Sequence, residues 1–240
     1  MTMSPSANPI FVAIDTPSRE RALALAKTLR PHVGGLKVGL EFVNAQGPAG
    51  IRAVIDTGAP VFIDVKLHDI PNTVAGAMKA LAPLGAAFIN VHASGGAAMM
   101  KAAAEAAAAA PTPPKVLAVT VLTSLSADDL KTMGIISTPL EQVVRYAQLA
   151  QVNGIDGVVC SPEEISAVRD ACGPDFLIVT PGIRPAGSSR DDQQRVTSPV
   201  QALQAGADYL VIGRPITAAP DPAEAAREIA ADLAGALLAR

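Results

Sequence analysis

Strand-like and helix-like patterns alternate along this chain from end to end, and eight of each fit within 240 residues. Short apolar runs fall at 10–14, 36–40, 61–65, 87–91, 116–122, 157–160, 177–179 and 209–212. Between and after them lie helical patterns near 18–30, 41–57, 72–84, 96–110, 139–153, 162–171, 198–206 and 222–239. Runs that are apolar throughout, without alternation, read as parallel strands buried on both faces. Eight strand–helix units in a chain of this length match the α/β class and the (β/α)8 or TIM barrel. A doubly wound open sheet competes, but no Gly-x-Gly-x-x-Gly follows the first run.

No domain boundary interrupts the pattern, so residues 1–240 read as a single barrel domain. The simple stretch 94–114 reads as an Ala-rich helix and a Pro-rich surface turn, because alanine favours helix. The stretch 182–197 is polar and opens with Gly182, Pro185 and Gly187. It is too long for an ordinary barrel loop and reads as a mobile lid.

Half of the residues are hydrophobic and 17% are charged, which argues against disorder. Aromatics are scarce, so Ala, Val, Ile and Leu are expected to fill the core. A formal charge of −3 leaves no basic footprint for nucleic acid. Lys, Asp, Pro or Gly interrupts every apolar run before it reaches membrane-spanning length. The start, Met1-Thr2-Met3-Ser4-Pro5-Ser6, lacks the basic and apolar regions of a signal peptide. Cys160 and Cys172 show no metal spacing. A reduced, cytoplasmic protein is the resulting expectation.

The chemistry concentrates after the third run. Pro60-Val61-Phe62-Ile63 leads into Asp64-Val65-Lys66-Leu67-His68-Asp69, and Ile70-Pro71-Asn72-Thr73 then starts a helix. Residues two apart on a strand share a face, so Asp64 and Lys66 are expected to project together. Charges at the end of a buried strand are costly to desolvate unless they pair. In a barrel the strand C-termini and the loops after them build the active site. That end also collects Asp15, Lys37, Asn90, His92, Thr123, Ser124, Ser161, Thr180, Pro181, Gly182, Gly213 and Arg214. A glycine followed by an arginine after the eighth run suits phosphate, which barrels often bind after strands seven and eight.

Plainer readings exist for most of these residues. Asp15 before Thr16-Pro17-Ser18 also reads as a helix cap. Lys37 also reads as a solvated strand-end lysine. His92 and Asn90 read as hydrogen-bonded residues of the strand layer. Thr123 and Ser124 also read as loop hydroxyls, Arg184 and Arg190 as solvated charges, and Cys160 as a small buried hydrophobe. Gly213-Arg214 also reads as a Gly-Pro turn with an exposed Arg. The pair Asp64 and Lys66 resists such a reading, because apolar residues flank both.

Together these motifs resemble the orotidine 5′-phosphate decarboxylase family, in its bacterial form. The resemblance runs from Phe11-Val12-Ala13-Ile14-Asp15 to Asp208-Tyr209-Leu210-Val211-Ile212-Gly213-Arg214-Pro215. Its most specific parts are Leu36-Lys37-Val38-Gly39, Phe62 through Thr73, and Val179-Thr180-Pro181-Gly182-Ile183-Arg184-Pro185. It implies a carboxy-lyase that turns orotidine 5′-phosphate (OMP) into uridine 5′-phosphate (UMP), the last step of de novo pyrimidine nucleotide synthesis, with no cofactor and no metal. It implies that Lys66 protonates C6 after CO2 leaves, within a charged network of Lys37, Asp64, Lys66 and Asp69. Asp69 and Thr73 would reach the active site of a second subunit in a homodimer. Asp15 and Lys37 would hold the ribose, and Thr123 and Ser124 the pyrimidine, with Pro181 at the same site. Arg214, the Gly213 amide, Arg184 and Gln193 would hold the phosphate and close the lid. Two other readings stand beside this one. The first is a related sugar-phosphate barrel that uses magnesium, which Lys37 and Lys66 would crowd. The second is a catalytically silent nucleotide-binding barrel, for which a desolvated charge network has little use.

Overall fold

Each of the eight apolar runs becomes a strand, and the strands pair in parallel with their sequence neighbours. In the computed structural model, which describes residues 8–185 and 197–238, they close into a barrel in the order β1 to β8. The strands are β1 Ile10–Ile14, β2 Gly35–Gly39, β3 Val61–Leu67, β4 Phe88–His92, β5 Lys115–Val119, β6 Gly157–Val159, β7 Leu177–Thr180 and β8 Tyr209–Ile212. Closure comes from β1 against β8, where Phe11 stands opposite Val211. Every backbone edge is thereby paired, which an open sheet leaves undone. The open-sheet alternative is set aside by that closure.

The helices return the chain along the outside. They are α1 Arg19–Leu29, α2 Leu40–Ile55, α3 Pro71–Leu81, α4 Ala97–Ala108, α5 Ala127–Thr132, α6 Pro139–Val152, α7 Ile165–Cys172, α8 Pro199–Ala205, α9 Arg214–Thr217 and α10 Pro222–Leu238. Their starts follow from local chemistry. The Ser18 hydroxyl accepts the Arg21 N–H at the head of α1, and Thr138 and Glu141 cap α6 reciprocally. Ser198 and Gln201 do the same for α8. No helix among the described residues is long and apolar enough to cross a membrane.

Several boundaries differ from the sequence expectation. The run 116–122 stops being strand at Val119. There both the N–H and the hydroxyl of Thr120 turn to the Val159 carbonyl, and Val121 and Leu122 leave the sheet. The third strand continues to Leu67 rather than ending at 65. The helix near 41–57 is broken at Gly47, whose φ of 59° lies in the left-handed region, because Pro48 disfavours helical backbone before it. The short helices α5 and α9 were not expected. The first had a legible signal, since Ser126 and Asp129 form a capping box. The two ends of the 182–197 stretch meet: Ile183 bridges Thr197, and the Arg184 N–H donates to the Thr197 carbonyl at 3.0 Å. Residues 186–196, Gln193 and Arg190 among them, lie outside the described residues.

The expectation of an aliphatic core holds only outside the sheet. Between strands and helices the packing is Ala, Val, Ile, Leu and Met, with Phe42 and Phe176. Inside the barrel, four of the chain's seven aromatic residues interlock. Phe88 meets Phe11, Tyr209 and Phe62 edge-on, with ring centroids 5.3, 5.2 and 6.0 Å apart. Eight strands enclose a space that a few bulky side chains must fill, and scarce aromatics are placed where volume is most needed. Gly35 is required beside them, because a Cβ there would lie 2.3 Å from the Phe11 ring.

Phe88→Ala is therefore expected to cost about 3–5 kcal/mol of stability, the usual range for emptying an aromatic site. Urea denaturation followed by circular dichroism measures it. A loss under about 1 kcal/mol would show that the rings are not the filling of the barrel.

Candidate active site

Three neighbouring strands, β1 to β3, bring alternating charges into one chain. Lys37, buried on β2, places its Nζ 3.2 Å from Asp64 Oδ2 and 3.5 Å from Asp15 Oδ1. Lys66 places its Nζ 2.6 Å from Asp64 Oδ1. The order is Asp15, Lys37, Asp64, Lys66, and the four formal charges cancel. Asp64 is the shared member, with its side chain 13% exposed against 61% for Asp15. Asp15 does not cap α1. Ser18 has that role, and Asp15 faces Lys37 instead. Lys37 is likewise no solvated lysine, since only 11% of its side chain is exposed.

Burial works to raise the Asp64 carboxyl, but Lys37, Lys66 and the donated hydrogen bonds of Lys66 and Asn90 outweigh it. The group is held below the ordinary aspartate range. It stays ionised at neutral pH. Its contribution to stability is present above the unfolded aspartate value and is lost as pH falls through the lowered folded value.

The expectation that Asp64 and Lys66 share a strand face reaches the right contact by the wrong route. Between Ile63 and Leu67 the β3–β4 register shifts, so four residue steps on β3 oppose two on β4, from Ile89 to Val91. Lys66 lies in this bulge with φ of 50°, and it alone among the described non-glycine residues has positive φ. Such a conformation costs on the order of 1–3 kcal/mol and persists where the surroundings over-determine it. Asn90 supplies the surroundings. Fully buried on β4, it accepts the Lys66 N–H at 2.7 Å through Oδ1 and donates to Asp64 Oδ1 at 2.6 Å through Nδ2. The sequence reading of Asn90 as a residue that satisfies backbone groups holds at the Lys66 N–H, while its bond to Asp64 was not foreseen. The stronger signal was its setting, a polar side chain inside an apolar run, which must find partners.

The charged chain borders a cavity of about 190 Å³. Lys37, Asp64 and Lys66 line it together with Val121, Leu122, Thr123, Cys160 and Pro181. Phe62, Val159 and Val211 lie beneath, where the cavity meets the inner packing of the barrel. Thr123 and Pro181 were expected at the site, whereas Val121, Leu122, Cys160 and the inner residues Phe62, Val159 and Val211 were not foreseen there. Low-dielectric walls strengthen fixed charges that face into such a cavity.

The other expected residues collect at the same end of the barrel without lining this cavity. Ser124 is exposed in the loop after β5. Arg184 follows β7, with Nη1 donating to the Ile183 carbonyl at 3.1 Å. Gly213 follows β8, and Arg214 opens α9 on the surface. Asp69 is exposed and is not joined to Lys66 within the protomer; its Oδ1 accepts the Ile70 N–H at 2.6 Å. Thr73 is exposed in the first turn of α3. His68 and His92 stack with centroids 5.4 Å apart, and His92 Nδ1 meets the Ser94 hydroxyl. Among the described residues no three His, Cys, Asp or Glu side chains gather in a way that would hold a metal ion.

Known proteins are similar to this chain over most of its length. The family model described as "Orotidine 5'-phosphate decarboxylase / HUMPS family" matches residues 8–229. The orotidine 5′-phosphate decarboxylase of Paramagnetospirillum magneticum is 57% identical over 231 residues, covering 94% of this chain and 98% of that protein. That of Moorella thermoacetica is 56% identical, covering 93% of this chain and 91% of its own. The crystal structure of the Lactobacillus acidophilus orotidine 5′-phosphate decarboxylase superposes with a TM-score of 0.85 at 40% identity, covering 94% of this chain and 99% of that one. Matched from the first strand to the last helix, and more than half identical to such relatives, this chain belongs to the orotidine 5′-phosphate decarboxylase / HUMPS family.

Proposed function

We propose that this chain decarboxylates orotidine 5′-phosphate to uridine 5′-phosphate and CO2, with Lys66 delivering the proton to C6. The carrying observation is the Asp15–Lys37–Asp64–Lys66 chain bordering a small, largely apolar cavity. The names of the relatives point to the same reaction. Loss of CO2 from C6 leaves a vinylic carbanion with no adjacent carbonyl to delocalise it. Fixed positive charge must therefore stand where the anion develops. Lys66 provides it, and its ammonium then supplies the proton. Asp64 orients that ammonium through the 2.6 Å contact. Lys37 and Asp15 hold the ribose hydroxyls, and Thr123, Ser124 and Pro181 face the pyrimidine.

The phosphate goes to Arg214 and the Gly213 amide after β8, with Arg184 and Gln193 from the stretch after β7 closing over it. The bridge between Ile183 and Thr197 supports this reading, because it anchors both ends of that stretch beside the site. Phosphate binding remote from C6 can then drive closure in favour of the transition state.

The active unit is a homodimer in the same reading. Asp69 and Thr73 are exposed and unconnected to Lys66 in their own protomer. Ile70 beside them is 67% exposed and Leu40, after β2, 50% exposed. A second subunit would cover these apolar side chains and take Asp69 and Thr73 into its site. Cys160 and Cys172 are buried and in no disulfide, which suits a reducing cytoplasm.

The first test follows OMP loss by absorbance with a chelator present. Turnover that needs magnesium would favour the metal-using relatives, and UMP binding without turnover would favour a silent barrel. Lys66→Ala should lose at least about 10²–10³ in rate, the cost of one electrostatic stabiliser, while still binding UMP. Activity within a few-fold of the parent would sink the assignment of Lys66.

Mixing Lys66→Ala with Asp69→Ala, each inactive alone, should restore part of the activity through one intact hybrid site. A monomer in sedimentation at micromolar concentration, or no recovery after verified subunit exchange, contradicts the shared site. Arg214→Ala should lose roughly 1.5–3 kcal/mol of transition-state binding with OMP. With the phosphate-free nucleoside orotidine it should match the parent protein. Equal slowing of both substrates would make Arg214 a structural residue.

A further inference from the structure

We infer that Asn90 is a positioning residue that holds Lys66 in its left-handed conformation and so aims the ammonium at the cavity. The inference rests on the reading of Lys66 as the proton donor. Its ground is geometric. A bulge breaks the regular β3–β4 ladder at Lys66, and the Asn90 carboxamide takes the place of the missing backbone partner. One face of that carboxamide accepts the Lys66 N–H at 2.7 Å, and the other donates to Asp64 Oδ1 at 2.6 Å. Asp64 Oδ1 is also the oxygen that Lys66 Nζ meets. Backbone N, carboxamide, carboxylate and ammonium therefore form a closed loop of hydrogen bonds that begins and ends on Lys66. A lysine with four rotatable side-chain bonds is defined at both ends by this loop.

Other side chains do not substitute for this arrangement. Asn90 is fully buried, so water has poor access to replace it. It needs an acceptor and a donor on one planar group, which asparagine supplies and which leucine or an ionised aspartate at this position would not. Asn90 does not line the cavity, so its effect on the reaction runs through Lys66 and Asp64.

Asn90→Ala should lower kcat by roughly 10²-fold, the scale of an ångström-size misplacement of a reacting group. KM for OMP and the affinity for UMP should stay within about threefold, because UMP binding does not use the aimed proton. Hydrogen–deuterium exchange at the Lys66 amide, read by NMR on the dimeric full-length chain, should accelerate at least about tenfold with the loss of its acceptor. Asn90→Asp guards against a variant that fails to fold. It keeps the acceptor, so the Lys66 amide stays protected, while its contact with Asp64 becomes either two opposed carboxylates or a shared proton.

The proposal is overturned by a folded Asn90→Ala with kcat within threefold of the parent, or by an Asn90→Asp in which the Lys66 amide loses its protection. It is equally overturned by UMP affinity falling in step with kcat, or by unchanged exchange at Lys66 in Asn90→Ala. A parent protein inactive on OMP, or an active Lys66→Ala, overturns the functional reading instead. The exchange measurement judges the Asn90–Lys66 link in either case.

Discussion

The Asp64 carboxylate, held between two ammonium groups, is the interaction on which the site depends. Oδ2 meets Lys37, and Oδ1 meets both Lys66 and Asn90. Each partner comes from a different place on the barrel: β2, the bulged end of β3, and the buried middle of β4. A charge with this little exposure is tolerable only because every neighbour compensates it. Removing one partner leaves the others unbalanced, so the group behaves as a unit and single contributions do not add.

The barrel supplies the rigidity that such a unit needs. Phe11, Phe62, Phe88 and Tyr209 interlock inside the sheet, and Phe62 reaches from that packing to the cavity. Directly above, Lys66 takes a positive φ, alone among the described non-glycine residues. Regular strands below and a strained lysine above are complementary features. The strain persists because the ladder on either side and the Asn90 carboxamide leave Lys66 no other conformation that satisfies its N–H.

Much of the architecture was legible in the chain. Eight apolar runs named eight strands, since a strand buried on both faces must be apolar at every position. The errors fell at ends and exceptions. Val121 and Leu122 are as apolar as a strand requires but lie past the point where Thr120 turns aside. The aromatic interior was missed because four rings spread over 240 residues look sparse until closure brings them together. Asp64 and Lys66 were legible because a buried ion pair has no bland explanation, whereas Asp15 and Lys37 each had one. Asn90 was underestimated because its two partners are 24 and 26 positions away along the chain.

What the sequence alone determined was the list of parts: the alternation that makes a barrel, and the strand-end residues Asp15, Lys37, Asp64 and Lys66. Periodicity and burial are local properties, readable within a window of a few residues. What only the tertiary structure decided was how those parts meet. Asp64 and Lys66 touch through a bulge and a left-handed backbone that strand alternation does not describe. Asp15 turns to Lys37 instead of capping a helix, and Asp69 stays apart from the lysine three residues before it. Each of those outcomes is set by a partner on another strand, a helix cap or a turn amide. Such pairing becomes visible only when the closed sheet sets distant segments side by side.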